Sequence, residues 1–423
     1  MGNTARCGRW LTNPPDFVWE KAQKNTPAGM TGGAGSAIAR GMTDDPPFSP
    51  ALLPAGFVDL LTPDARTEAR GVATLMDVFA SHGYDSVRPP LMEFEETYLA
   101  GAGVALAEQC FRVMDPDTRR MMVLRPDITP QIARMAATRV GGLPRPLRVS
   151  YAGTCVVVAP VAAEESSRQI MQTGIELIGP DSPEADAEVM SIGAEALMRL
   201  GVKDVSFDLT MPPFIPALLE EAGVPAAHRP ALMRALDRKD AAAVAQHGGA
   251  LAATLIALLD ATGAAEHTVA QLAELTLPPK ARIILDRLID TVAALREICP
   301  SLRMTVDPVE FRGWKYHTGV CVTLFAVGRS EELGRGGRYI CNDNEPACGL
   351  TLRPDVLFRM IPPTPARVRV YLAANADRHE AASLREQGYA TVRGFASGPQ
   401  AEAEARHLGC GILLTGTQRV DLA

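Results

Sequence analysis

The stretch RQIMQTGIELIG, residues 168–179, decides the fold. In it Gln172, Gly174 and Glu176 alternate with Thr173, Ile175 and Leu177, and a period of two is what a strand imposes on its two faces. An amide, a gap and a carboxylate on one sheet face predict a small polar pocket, the glycine leaving space for a ligand. A solvated sheet face gives the same alternation, but it rarely sets its only glycine between the two polar groups.

Working outward, further strand candidates lie at 84–90, 121–124, 147–151 and 154–158. Helical spacing appears at 63–83, 130–140 and 183–200. Strands mixed irregularly with helices, without a repeating strand-helix unit, predict an α+β fold built on an antiparallel sheet. Residues 213–300 change character: Ala, Leu and charged residues dominate and helical periodicity recurs at 231–237, 251–261 and 281–298. Strand signals return at 304–306 and 319–325. The expected organisation is therefore a core domain of 51–212 and 301–362 with a helical insertion, 213–300. A small C-terminal α/β unit follows at 366–423, reading strand, helix, strand, helix, strand. Residues 1–50 are expected to be a disordered tail, since the Gly- and Ala-rich start has no apolar period to offset ordering entropy. Met30 and Met42 are alternative starts.

Composition bounds the function. The chain has 423 residues, 42 Lys+Arg against 49 Asp+Glu and a net charge of -7, which disfavours a polyanion partner such as nucleic acid. No apolar run approaches the roughly 18 residues of a membrane span. Eight scattered cysteines show no zinc-site spacing and read as free thiols in a reducing cytoplasm. No metal or cofactor is expected.

Two more clusters carry chemistry. In LRPDITPQIAR (124–134) a cation, a carboxylate (Asp127) and a hydroxyl (Thr129) follow a strand, an arrangement able to hold a zwitterion. The same pattern is also what a helix N-cap looks like. FRGWKYHTG (311–319) and GRGGRY (334–339) gather Arg, Tyr and His beside glycines, as where backbone closely approaches a polar ligand.

Together with GYDSVRPPLMEFEE (83–96), these segments resemble, in order, the motif series of class II histidyl-tRNA synthetase and its non-catalytic paralogue, the regulatory subunit of ATP phosphoribosyltransferase. The resemblance implies a class II aminoacyl-tRNA synthetase-like antiparallel sheet flanked by helices. It also implies that Asp127, Thr129 and Gln172 hold the α-amino group of histidine. Glu176, His317 and Tyr339 would face the imidazole, and Arg312 the carboxylate, with Tyr316 beside them. Two arginines that clamp ATP phosphates in the synthetases are replaced here by Val157 and Val356. Arg353 stands where the family has a glycine. Removing one preorganised donor of that kind costs on the order of 10² to 10³ in rate, so the paralogue without catalysis is the expected branch. The C-terminal unit is also shorter than the anticodon-binding domain of about 90 to 100 residues, within the usual domain range, that a synthetase carries. The resemblance then implies a short-form catalytic ATP phosphoribosyltransferase subunit as partner, in a hetero-octamer on a homodimeric core, with L-histidine as feedback effector. An active histidyl-tRNA synthetase, or another amino-acid adenylating enzyme, is the alternative.

Overall fold

The computed structural model describes residues 53–159, 167–310, 317–341 and 344–422. The expected tail, and Arg312 and Tyr316, lie outside the described residues. Helix α1 (Asp64–Ser81) leads into a two-residue strand, β1 (Asp85–Ser86), much shorter than the expected 84–90. Strands β2 (Met92–Phe94), β3 (Phe111–Met114) and β4 (Met121–Leu124) form a small antiparallel sheet, with α2 (Glu95–Tyr98) between β2 and β3. After α3 (Thr129–Ala137) come β5 (Leu147–Val156) and β6 (Gln169–Ile178), then α4 (Pro183–Leu200) and β7 (Val205–Thr210).

The two strands expected at 147–151 and 154–158 are one. The strand runs through Gly153, where a Cβ would collide with the guanidinium of Arg125. Helix α4 starts where its sequence directs. Ser182 accepts a hydrogen bond from the Ala185 amide at 3.3 Å, Pro183 follows, and Gly201 closes the helix at φ 89°.

Helices α5 (Phe214–Glu221), α6 (Arg229–Asp237), α7 (Ala241–His247) and α8 (Ala252–Asp260) precede β8 (Gly263–Ala264), after which come α9 (Ala265–Ala273) and the long α10 (Pro279–Ile298). The stretch expected to be all-helical thus contains one short strand, which pairs with β9 (Arg303–Asp307). Strands β10 (His317–Ala326), β11 (Gly334–Ile340) and β12 (Pro346–Leu352) and the short α11 (Pro354–Leu357) complete this part. Neither β11 nor β12 was read as a strand from the sequence.

The nine strands of the main sheet run in the order β1-β5-β6-β12-β11-β10-β7-β9-β8. From β5 to β7 every pairing is antiparallel, while β1 and β9 join in parallel and β8 pairs antiparallel with β9 at the far edge. Odd-numbered residues of β6 and even-numbered residues of β10 and β12 enter the large apolar core with α1, α4 and α10. The opposite sheet face receives α3 in a smaller core containing Ile132, Tyr151 and Tyr339.

On the helical face a charged cluster is sealed in. Asp186 of α4 is fully buried and accepts from Arg338 of β11 (Nε, 2.9 Å) and Arg287 of α10 (Nη2, 3.0 Å). It ties the central strand to both covering helices.

The C-terminal residues form β13 (Arg369–Leu372), α12 (Arg378–Glu386), β14 (Ala390–Arg393), α13 (Gly398–His407), β15 (Ile412–Thr415) and a further strand, β16 (Gln418–Asp421). The expected three-stranded unit is therefore four-stranded, in the order β14-β13-β15-β16, with β16 antiparallel at the edge.

Candidate functional site

The cleft is built on one sheet face, where glycines stand in place of side chains. Across the strands, Glu176 pairs with Gly349 and Gly349 with Gly337; in the next row Gly174 pairs with Thr351 and Thr351 with Arg335. A Cβ on Gly349 would collide with the Glu176 carboxylate, and one on Gly174 with the Tyr151 hydroxyl. Gly337, at φ +159° near the extended range, would meet Cys321 Sγ and backbone. The three glycines thus let polar side chains lie flat over the sheet. The space above them is a cleft lined by Asp127, Gln172, Glu176, His317 and Tyr339 among others.

Glu176 is the centre. Its Oε1 accepts from Thr129 Oγ1 at 3.0 Å and Tyr151 Oη at 3.3 Å, and its Oε2 from Tyr339 Oη at 3.0 Å. Tyr151 Oη also lies 2.7 Å from Thr351 Oγ1. Three donors favour the carboxylate, yet burial outweighs them and pushes the Glu176 pKa up to about 8. At neutral pH the carboxyl therefore holds its proton most of the time while the cleft is empty.

Neither Asp127 nor Thr129 is the N-cap of α3, a position that Ile128 takes without a side-chain cap bond. Asp127 Oδ1 accepts from the Thr129 amide at 2.9 Å, fixing the turn into α3, and both residues also line the cleft. Burial raises the Asp127 pKa, against the pull of the Thr129 hydrogen bonds. Gln172 lines the cleft too, with Oε1 accepting from the Ile128 amide at 3.0 Å and from Cys155 Sγ at 3.2 Å. The cation of that motif does other work: Arg125 is buried and donates to the Pro89 carbonyl (2.9 Å), the Thr154 carbonyl (2.9 Å) and Gln131 Oε1 (3.2 Å). It ties three segments together and does not line the cleft.

His317 and Tyr339 are direct cross-strand partners and both line the cleft. Burial, assisted by the positive charge of Arg335, depresses the His317 pKa to about 3, so its ring is neutral at physiological pH. Six of the eight expected site residues, Asp127, Thr129, Gln172, Glu176, His317 and Tyr339, thus converge. The sequence reading missed Tyr151, Thr351, Arg335, Glu332 and, as a lining residue, Arg353. Tyr151 was passed over as ordinary strand, although it lies beside the expected polar row. Val157 and Val356 are buried in apolar cores and neither lines the cleft.

Among the described residues there is no group of His, Cys, Asp and Glu able to hold a metal ion. No helix among them is long and apolar enough to cross a membrane. The seven described cysteines are free thiols.

The family model for histidyl-tRNA synthetase matches residues 56–357. An ATP phosphoribosyltransferase regulatory subunit from Gluconobacter oxydans is 52% identical over 362 residues, covering 86% of this chain and 95% of its own. The chain belongs to the ATP phosphoribosyltransferase regulatory subunits, within the histidyl-tRNA synthetase family. Solved structures agree on the fold of this regulatory subunit. An ATP phosphoribosyltransferase regulatory subunit/histidyl-tRNA synthetase from Bacillus halodurans superposes with a TM-score of 0.74 at 22% identity, covering 88% of this chain and 99% of that one. A chain of the ATP phosphoribosyl transferase complex from Thermotoga maritima gives 0.53 at 18% identity, covering 68% and 97%.

Proposed function

We propose that this regulatory subunit senses L-histidine in the cleft, has no adenylating activity of its own, and acts on a short-form catalytic ATP phosphoribosyltransferase subunit. As a regulatory subunit of ATP phosphoribosyltransferase it serves the first step of histidine biosynthesis, in which ATP and phosphoribosyl pyrophosphate give phosphoribosyl-ATP. The observation that carries the sensing role is the buried Glu176 carboxyl under Thr129, Tyr151 and Tyr339. A buried acid of this kind exchanges hydrogen bonds with an imidazole nitrogen, while Asp127 and Gln172 receive the ammonium. Arg312 and Tyr316 complete the set by resemblance to the family. Absence of catalysis is supported by Val157 and Val356, apolar and buried where the synthetases place phosphate-binding arginines.

Feedback requires that histidine bind one arrangement of the complex more tightly than the other, since a ligand shifts an equilibrium only by its differential affinity. The complex is a cytoplasmic hetero-octamer on a homodimer formed through residues 83–96, with neither nucleic acid nor membrane as partner. The test is reconstitution: adding this chain to the catalytic subunit should raise phosphoribosyl transfer and make it histidine-sensitive. No gain and no sensitivity would refute the proposal, as would histidine-dependent ATP to pyrophosphate exchange by the chain alone.

A further inference from the structure

The mouth of the cleft carries a charged pair that the histidine-sensing reading leaves unused. Residues 335, 337 and 339 of β11 share the cleft face, and Arg335 lines the cleft beside Glu332. Arg335 Nε donates to Glu332 Oε1 at 2.6 Å and its Nη2 to Oε2, so the guanidinium fork already grips a carboxylate with two parallel bonds. The pair is half-open: 35% of the Arg335 side chain and 19% of the Glu332 side chain are exposed.

The row positions set a span. Arg335 lies two strands across and one row along from Glu176, roughly 12 Å between Cα atoms at the usual strand spacing and rise. Gly349 and Gly337 add no side chain of their own between them, and the Glu176 carboxyl lies over Gly349. A zwitterion whose side chain bonds Glu176 therefore extends its carboxylate toward Arg335. The charge of Arg335 reaches that floor, since it favours the ionised form of Asp127 and opposes protonation of His317. Among the described residues the other guanidinium lining the cleft is Arg353, which is more deeply buried and donates to Asp355 Oδ2 at 3.1 Å.

We propose that Arg335 is a second carboxylate-recognising residue of the cleft, in addition to Arg312, and that Glu332 is an internal stand-in which the α-carboxylate of a bound amino acid displaces. This rests on the histidine-sensing reading and deepens it. The cleft selects a free α-amino acid over its decarboxylated amine, and Glu332 sets the affinity by competing for the same fork. Arg335 binds the ligand, and Glu332 acts through Arg335.

The test is calorimetric titration of the full chain with L-histidine and with histamine, which lacks the carboxylate. Wild type should prefer histidine. Arg335→Gln should weaken histidine on the order of 10- to 100-fold and leave histamine within about twofold, the loss expected for a charge-assisted pair. Glu332→Gln should tighten histidine and leave histamine alone. Histamine binding in each variant also reports whether the cleft has kept its shape. Unchanged histidine affinity in Arg335→Gln overturns the proposal. So does an equal loss of both ligands, which would make Arg335 a scaffold residue, or a selective loss in Arg353→Gln instead. If wild type binds neither ligand, the histidine-sensing reading falls and takes this inference with it, an outcome distinct from the others.

Discussion

Strand β11 carries two arginines whose pairs lie on opposite faces of the same sheet. Arg338 meets Asp186 with 6% and 0% of their side chains exposed, whereas Arg335 meets Glu332 with 35% and 19% exposed. The chemistry is the same and the environment differs. The buried pair, joined by Arg287, fastens β11 to α4 and α10. Its strength comes from burial of the carboxylate and the Arg338 guanidinium. The half-open pair can exchange its carboxylate for another, so it suits recognition. One strand can therefore be held rigidly from behind while presenting a replaceable contact in front.

The largest effect expected from breaking this contrast is in stability. Asp186→Ala leaves two guanidiniums without their central carboxylate and should cost about 3–5 kcal/mol, read from urea unfolding. Glu332→Ala, on the open face, should cost no more than about 1 kcal/mol. Equal losses would erase the distinction. The cleft face itself is sharpened by Gly349→Ala, whose new methyl must displace the Glu176 carboxylate. A cost of about 1–3 kcal/mol, as for overpacking, should accompany loss of histidine binding.

A graded effect is expected from pH. Burial raises the Glu176 pKa from 4.5 to about 8, so the folded chain keeps a proton that the unfolded chain releases. This group's contribution to stability is full below about pH 4.5 and is lost as the pH rises toward 8, by at most about 1.4 kcal/mol per unit. Glu176→Gln should flatten that decline. His317, lowered from 6.5 to about 3, acts in the opposite sense, because the unfolded chain takes up a proton as pH falls through 6.5 and the folded chain does not. A wild-type stability curve parallel to that of Glu176→Gln from pH 5 to 8 would show that the carboxyl is ionised in the fold.

The same two faces explain what could be read in the sequence. Strand β6 was legible because Gln172, Gly174 and Glu176 alternate with apolar residues, and α4 because its cap and stop residues are local signals. Strand β11, with three glycines among seven residues, lacks both the alternation and the β-branched residues that mark a strand. One of those glycines, Gly337, belongs to the floor of the cleft, so part of what hid the strand also makes the site. Asp186 was invisible for a different reason. An acid in the first turn of a helix reads as a solvated dipole partner, and Arg338 lies 152 residues away. Tyr151 and Thr351, 200 residues apart, meet only once β12 pairs with β6.

The most direct test of the account is calorimetric titration of L-histidine into the full-length wild-type chain and into the near-isosteric Glu176→Gln variant at neutral pH. One histidine per chain should bind the wild type, and the variant should bind at least about tenfold more weakly, since the amide sets an N–H donor where a carboxyl oxygen accepts from Thr129, Tyr151 or Tyr339 and cannot ionise against a protonated imidazole. Equal affinities, or no binding by a folded wild-type chain, would contradict it.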